Sequence, residues 1–145
     1  MVQTLLRMVH AIAAWLLVAG IVVQVFLAGA AIANLGGSGD FSTHIEFGYT
    51  AIGLLALAVL LTAVAARSGR RDIGASFALL LLYVVQTALP QFRASVPVLA
   101  ALHPVNALVL FGLAVWYARR AWRRSAAEGP ADPASGNDTI HSPRA

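Results

Sequence analysis

The sequence predicts an all-α integral membrane protein, a bundle of four helices that cross the bilayer in an up-down-up-down order. Three observations lead to this fold class. Hydrophobic residues make up 59% of the 145-residue chain and charged residues only 11%, whereas soluble domains average about 45–50% and about 25%. Four stretches reach the ~20 apolar residues that a spanning helix needs. The arginines flank these stretches almost entirely on one side.

The four predicted spans cover residues 8–34, 45–66, 73–92 and 98–118. Each span is apolar around its whole circumference, which is typical of helices that face lipid. A glycine-rich loop, an arginine-rich polar turn that runs from Arg67 to Asp72 and a segment bracketed by Pro90 and Pro97 separate the spans. We therefore expect one bundle domain at residues 1–124, followed by a disordered cytoplasmic tail at residues 125–145, which is rich in small residues, Pro and Gly.

The distribution of arginine predicts the orientation of the bundle. All ten basic residues are Arg. If the chain crosses the membrane four times, the arginines of the first 124 residues lie on one side of it, with Arg93 as the single exception. The positive-inside rule then places both termini in the cytoplasm. The formal charge of +4 is accordingly a topology signal, and no nucleic-acid partner is expected. Abundant Ala and the absence of Lys indicate a GC-rich bacterial genome, and hence a bacterial cytoplasmic (inner) membrane.

Several chemistries are excluded by the residues present. The chain has no Cys, which excludes disulfides, iron–sulfur clusters and thiol catalysis. It also lacks the sequence fingerprints of P-loop, HExxH and GxGxxG proteins. Intrinsic catalytic activity is therefore not expected, although a bound redox cofactor would supply chemistry without a recognisable motif.

Two histidines are the candidate cofactor and metal ligands. His44 opens the second predicted span and His103 lies in the first turns of the fourth, so both are expected near the outer face. Two imidazoles from different helices of a bundle can hold one haem iron axially or bind another metal. Two unrelated interfacial histidines would fit the same positions. Arg93 is the only basic residue expected on that side, and its guanidinium suits a haem propionate.

A short repeat groups these histidines with two glutamines. Val22-Val23-Gln24 precedes His44 by 20 residues, and Val84-Val85-Gln86 precedes His103 by 17. The repeat predicts two similar hairpins related by a pseudo-twofold axis along the membrane normal. The glutamines and Asn106 favour interhelical hydrogen bonds over ligation.

The first of the remaining histidines, His10, has no counterpart at its level in another span. We therefore expect His10 to be an interfacial or hydrogen-bonded residue rather than a ligand.

Two segments resemble haem A synthase, an enzyme built from two four-helix halves that each hold haem between two histidines. The segments are Thr-His-Ile-Glu-Phe-Gly at 43–48, and Leu-Ala-Ala-Leu-His at 99–103 running into Val-Trp-Tyr-Ala-Arg at 115–119. The resemblance implies one such half, with His44 and His103 as axial ligands. Phe41 stands where that family has Glu, and Ile45 where it has Arg, which argues against haem hydroxylation.

The whole-chain pattern resembles small four-span bacterial membrane proteins of unknown function. Val-Gln-Val-Phe-Leu-Ala-Gly at 23–29 and His-Pro-Val-Asn-Ala-Leu at 103–108 carry this likeness. It implies a topology and no activity.

Three functions compete at this point. The first is a b-type haem protein, with one haem near the outer face, that transfers electrons, senses redox state or handles haem. The second is a non-enzymatic accessory or scaffold subunit of a larger membrane complex, which the many small residues would allow to pack closely. The third is a lipid- or quinone-binding protein with an apolar cavity.

Overall fold

The computed structural model describes residues 1–37 and 39–127, and every regular element in this part of the chain is helical. Four segments are long and apolar enough to cross a membrane: Val2–Ile32, Ser42–Ala65, Arg70–Ala94 and Pro97–Ala127. They correspond to the four predicted spans and confirm the all-helical class. The predicted tail lies outside the described residues except for 125–127, which continue the last helix.

The first segment is one uninterrupted helix, α1 (Val2–Ile32), and it begins six residues before the predicted span. The second segment consists of α2 (Ser42–Phe47), a π-helical turn (Gly48–Ile52) and α3 (Gly53–Ala65). Single π turns within α-helices occur frequently at functional sites.

The third segment consists of α4 (Arg70–Ala88) and a 3-10 turn (Leu89–Ala94). The fourth consists of α5 (Pro97–Ala101) and α6 (His103–Ala127). The break between α5 and α6 lies at Leu102, two residues before Pro104, which has no backbone N–H and therefore cannot make the helical hydrogen bond to the Ala100 carbonyl oxygen.

The four segments are arranged as a square. α1 packs against α3 and α6, and α4 packs against the same two helices. The second and fourth segments therefore lie diagonally across the bundle. The core at its centre is formed mainly by small and aliphatic side chains together with one aromatic residue, Tyr117; its fully buried members include Leu17, Val59 and Leu79.

Polar contacts are concentrated at the two ends of the bundle. The histidine end contains Gln24, His44, Gln86 and His103. The arginine end contains the start of α1, the turn between α3 and α4, and the last turns of α6. Gln3 donates to the Ala66 carbonyl there. Between the ends, large apolar side chains such as Phe26, Leu54 and Leu108 are exposed, as expected for surfaces that face lipid.

The glycine at the start of α3 allows a close approach to α4. A Cβ atom added at Gly53 would lie 2.5 Å from the Tyr83 hydroxyl and 3.0 Å from its ring carbon. By contrast, a Cβ atom added at Gly112 in α6 would meet nothing within 4 Å. These two glycines form a matched pair for testing the packing.

We expect Gly53→Ala to lower the free energy of unfolding in detergent by about 1–3 kcal/mol, because the Tyr83 ring must move out of a filled site. Gly112→Ala should leave stability unchanged or raise it by up to about 1 kcal/mol, since alanine is the better helix former. Chemical denaturation followed by circular dichroism measures both. Equal stability of the two variants would contradict the close α3–α4 packing.

Candidate functional site at the histidine end

His44 is fixed by the preceding helix. Its Nδ1 lies 3.1 Å from the Gln24 backbone carbonyl oxygen. The Gln24 side-chain nitrogen donates to the His44 carbonyl oxygen at 2.8 Å. The same nitrogen lies 3.3 Å from His44 Nε2. Because a carbonyl oxygen can only accept, Nδ1 carries the proton in this arrangement.

His103 makes the same backbone contact in the second hairpin. Its Nδ1 lies 3.0 Å from the Gln86 carbonyl oxygen, and the Gln86 amide nitrogen lies 3.1 Å from each of the two His103 ring nitrogens. The repeated Val-Val-Gln motif thus places a carbonyl oxygen against an imidazole in both halves of the chain. In each ring the unprotonated nitrogen is Nε2, which is the tautomer that binds a metal through Nε2.

The two imidazoles lie next to each other, although they come from diagonal segments. Their ring centroids are 6.4 Å apart and their planes are inclined by 69°. Both residues are half-buried. The structure therefore brings together the two histidines that the sequence singled out, each held by its own hairpin.

The two halves differ in how completely their glutamines are bonded. Asn106 donates to the Gln86 side-chain oxygen at 2.7 Å and to the Leu82 carbonyl oxygen at 3.0 Å. The corresponding oxygen of Gln24 is buried and has no hydrogen-bond partner among the described residues. The side-chain oxygen of Gln86 is therefore hydrogen-bonded, whereas that of Gln24, beside His44, is not.

The π-helical turn adjoins this cluster. A Cβ atom added at Gly48 would lie 2.7 Å from the Gln24 amide nitrogen, so the absence of a side chain there gives Gln24 its place. The Tyr49 carbonyl oxygen accepts a hydrogen bond from Tyr83 at 3.2 Å, and the Tyr49 hydroxyl accepts one from Gln91 at 3.1 Å. These bonds join the second segment to the third.

Arg93, the third predicted site residue, lies in the 3-10 turn after α4 and is exposed. The ion pairs of Asp72 with Arg120 and Arg124 lie at the other end of the bundle. The structure thus places Arg93 between the helix that carries Gln86 and the helix that carries His103, without a contact to either imidazole.

The donor set distinguishes between kinds of metal site. No group of three or more His, Asp or Glu side chains within residues 1–37 and 39–127 could hold a metal ion. A structural zinc site needs four protein ligands. A haem iron receives four ligands from its macrocycle and needs only axial ones from the protein. A pair of imidazoles fits the second case.

The distance between the ring centroids agrees with this case. Two imidazoles bound on opposite sides of one metal ion by bonds of about 2.0–2.1 Å would have ring centroids roughly 6–6.5 Å apart. The observed 6.4 Å lies within that interval.

At the arginine end, His10 forms a buried network that the sequence did not specify. His10 Nδ1 lies 2.9 Å from Thr62 Oγ1, and Nε2 lies 3.0 Å from the Tyr117 hydroxyl. Thr62 donates its own proton to the Ala58 carbonyl oxygen, so the His10 Nδ1–H donates to Thr62 and Tyr117 donates to Nε2. The expectation of a hydrogen-bonded His10 agrees with this geometry.

Asp72 differs from its sequence-based assignment to a polar turn. It lies in the first turn of α4 and is buried. Arg120 Nε donates to its Oδ1 at 2.6 Å, and Arg124 pairs with its Oδ2. The regular spacing of Tyr117, Arg120 and Arg124 along α6 was the signal that could have indicated one functional face.

Comparison with known proteins supplies a family likeness without an activity. A family profile described as a family of unknown function (DUF6220) matches residues 24–94. The match covers slightly less than half of the chain and includes Gln24, His44, Gln86 and Arg93, but not His103. No curated protein and no solved structure matches the chain significantly. A relationship to haem A synthase is not shown.

The unequal bonding of the two glutamines leads to a prediction. Gln86→Leu should lower the free energy of unfolding by about 1 kcal/mol, because it removes a hydrogen-bonded amide and leaves Asn106 with one acceptor fewer. Gln24→Leu should cost less, since it also removes a buried oxygen that lacks a partner. Denaturation in the same detergent gives the comparison. A larger loss for Gln24→Leu would contradict the hydrogen-bond assignment.

Proposed function

We propose that this protein is a small membrane cytochrome of the b type, with His44 and His103 as the two axial ligands of one haem. The observation that carries the proposal is the pairing of the two imidazoles, 6.4 Å between centroids, from diagonal segments. Each ring keeps its Nδ1–H on a backbone carbonyl oxygen, which is the usual outer partner of a metal-bound histidine.

The side-chain amides of Gln24 and Gln86 would change their contacts if a haem were bound. The side-chain nitrogens of Gln24 and Gln86 lie 3.3 and 3.1 Å from the Nε2 atoms, so these contacts are the ones that an iron would replace. The backbone bonds to Nδ1 would remain. The histidines would therefore keep their positions and tautomers when the glutamine amides turn away.

Arg93 is the proposed partner of a haem propionate. It is exposed and lies in the turn that joins the Gln86 helix to the His103 helix. A guanidinium binds a carboxylate with two parallel hydrogen bonds, so a partly solvated propionate next to this turn would be held at the edge of the bundle.

A bound haem would supply one-electron chemistry at this site. The protein's own residues would orient the iron, exclude water from its apolar surroundings and neutralise propionate charge. These roles are those of a protein that transfers electrons, senses redox state or handles haem, and no intrinsic substrate chemistry is proposed.

The proposed orientation is an up-down-up-down bundle with both termini in the cytoplasm of a bacterium, in its inner membrane. Support comes from the arginine end, where Arg7, Arg67, Arg120 and Arg124 line one cavity. Among the arginines that the structure describes, Arg93 alone lies toward the other end. Cytoplasmic loops carry the excess of Lys and Arg in membrane proteins.

A second candidate function is an accessory subunit of a larger membrane complex. In the third and fourth segments only 11% of the most apolar 18-residue window is buried within the chain. The remaining surface is available to lipid or to a partner helix, and small residues would permit a close approach. Isolation as a monomer in mild detergent, with every membrane complex intact in a deletion strain, would count against this candidate.

The haem proposal predicts a Soret band and an alpha band in the reduced-minus-oxidised spectrum of protein purified from haem-replete cells. His44→Ala and His103→Ala should each abolish these bands, because each removes one axial ligand. His10→Ala is the matched control and should retain them, since His10 lies at the opposite end of the bundle.

The outcome that contradicts the proposal is a spectrum without haem bands from a protein that is monodisperse and helical. Retention of the bands in both His44→Ala and His103→Ala would contradict the ligand assignment.

The orientation predicts the behaviour of fusion proteins. Green fluorescent protein fused after residue 127 should fluoresce, and alkaline phosphatase at the same position should be inactive, because the fusion point would be cytoplasmic. Alkaline phosphatase inserted at residue 38, between α1 and α2, should be active, because that loop would lie outside the cytoplasm. The reverse pattern would contradict this orientation and place both termini outside the cytoplasm.

A further inference from the structure

The π-helical turn between α2 and α3, at Gly48–Ile52, changes the backbone hydrogen bonds of the second segment. In an α-helix the Gly53 N–H would bond to the Tyr49 carbonyl oxygen, four residues earlier. Here the Gly53 N–H bonds to the Thr50 carbonyl oxygen. The turn therefore leaves the Tyr49 carbonyl oxygen without the donor that an α-helix would give it.

A side chain of another segment takes the place of that donor. The Tyr83 hydroxyl of α4 donates to the Tyr49 carbonyl oxygen at 3.2 Å. Gly53 permits this approach, because a Cβ atom there would lie 2.5 Å from the same hydroxyl. A backbone carbonyl in a membrane-spanning segment must find its donor within the protein. The Tyr83 hydroxyl therefore stabilises the π-helical turn relative to an α turn, in which this carbonyl would already be bonded.

The π-helical turn determines where His44 points. A π turn contains one residue more than an α turn, because its hydrogen bonds span five residues and not four. Each residue of an α-helix turns the chain by about 100°. If the same residues formed an α turn, α2 would rotate by that angle relative to α3. His44 Nδ1 would then leave the Gln24 carbonyl oxygen, which lies 3.1 Å away.

The other imidazole is positioned from the same helix. Gln86 follows Tyr83 by three residues in α4, and residues at this spacing lie on one face of a helix. The Gln86 carbonyl oxygen lies 3.0 Å from His103 Nδ1. One face of α4 thus contacts both halves of the chain, His103 through Gln86 and the segment that carries His44 through Tyr83.

From these contacts we propose that Tyr83 is a positioning residue for the imidazole pair. Its hydroxyl stabilises the π-helical turn, and the turn directs His44 toward His103. Tyr83 acts through the backbone of the second segment. The effect on the haem-free protein follows from these contacts alone, whereas the effect on haem affinity rests on the proposed function.

Three changes to the full-length chain separate this role from general packing. Tyr83→Phe removes the hydroxyl and keeps the ring. Tyr49→Phe is the matched control, because it removes a neighbouring hydroxyl that accepts from Gln91 and keeps the Tyr49 carbonyl. Deletion of Thr50, which is exposed, takes one residue out of the turn. An α turn can then form without rotating α2, and no carbonyl depends on Tyr83.

The first readout is nuclear magnetic resonance of isotopically labelled histidine side chains in haem-free protein in detergent. The ring nitrogen signals report which nitrogen carries the proton and whether it is hydrogen-bonded. We expect Tyr83→Phe to shift the His44 signals and to leave those of His103 and His10 unchanged. Tyr49→Phe should leave all three rings unchanged. A general loss of packing would not single out His44.

The deletion of Thr50 tests the route through the π-helical turn. In the deletion background the His44 signals should match those of the unchanged chain, and Tyr83→Phe should no longer shift them. This comparison also carries the test if Tyr83→Phe does not fold in the unchanged chain.

The second readout is the affinity of the haem-free protein for added haem, followed by the Soret band. Tyr83→Phe should weaken haem binding roughly fivefold, the effect of losing one net hydrogen bond. Tyr49→Phe should leave the affinity unchanged.

Unchanged His44 signals in Tyr83→Phe, or an equal shift in Tyr49→Phe, would overturn the assignment of Tyr83. A shift by Tyr83→Phe that persists after deletion of Thr50 would overturn the route through the turn. If the unchanged protein binds no haem, the proposed function fails, and the histidine signals still decide the role of Tyr83 because they are read without haem.

Discussion

The hydrogen bond from an imidazole Nδ1–H to a backbone carbonyl oxygen is the contact on which the histidine end depends. A polar group in hydrocarbon has no water to bond with, so it must find its partner within the protein. His44 and His103 both use the carbonyl oxygen of a glutamine on the preceding segment. This choice orients each ring and leaves Nε2 as the nitrogen that carries the lone pair. It also requires the close approach at Gly48, where a side chain would displace Gln24.

The two ends of the bundle provide partners for their buried polar groups in different ways. At the histidine end, neutral donors and acceptors are matched within each hairpin, with one oxygen of Gln24 left over. At the arginine end, a buried carboxylate is matched by two guanidinium groups from another segment. Such pairing is needed because an unpartnered charge at this depth is costly. Neutral hydrogen bonds therefore hold the histidine end, and ion pairs hold Asp72 at the arginine end.

The sequence predicted the four spans because each is apolar on every side, and it predicted the grouping of Gln24 with His44 and of Gln86 with His103 because the Val-Val-Gln motif repeats. The π-helical turn at Gly48–Ile52 was not predicted from the sequence. Asp72 was assigned to a polar turn because its partners lie about 50 residues further along the chain. The ion pairs of Asp72 are contacts between helices, which composition and periodicity do not specify.

The separation along the chain of the bonded residues implies an order of assembly. Gln24 and His44 are 20 residues apart, and Gln86 and His103 are 17 apart. His10 and Tyr117 are separated by 107 residues. During synthesis each hairpin can close its glutamine–histidine contact as soon as its second helix exists, and short loops close at the lowest entropic cost. The bond from Tyr117 to His10 must wait for α6, so this bond joins the first membrane-spanning segment to the fourth.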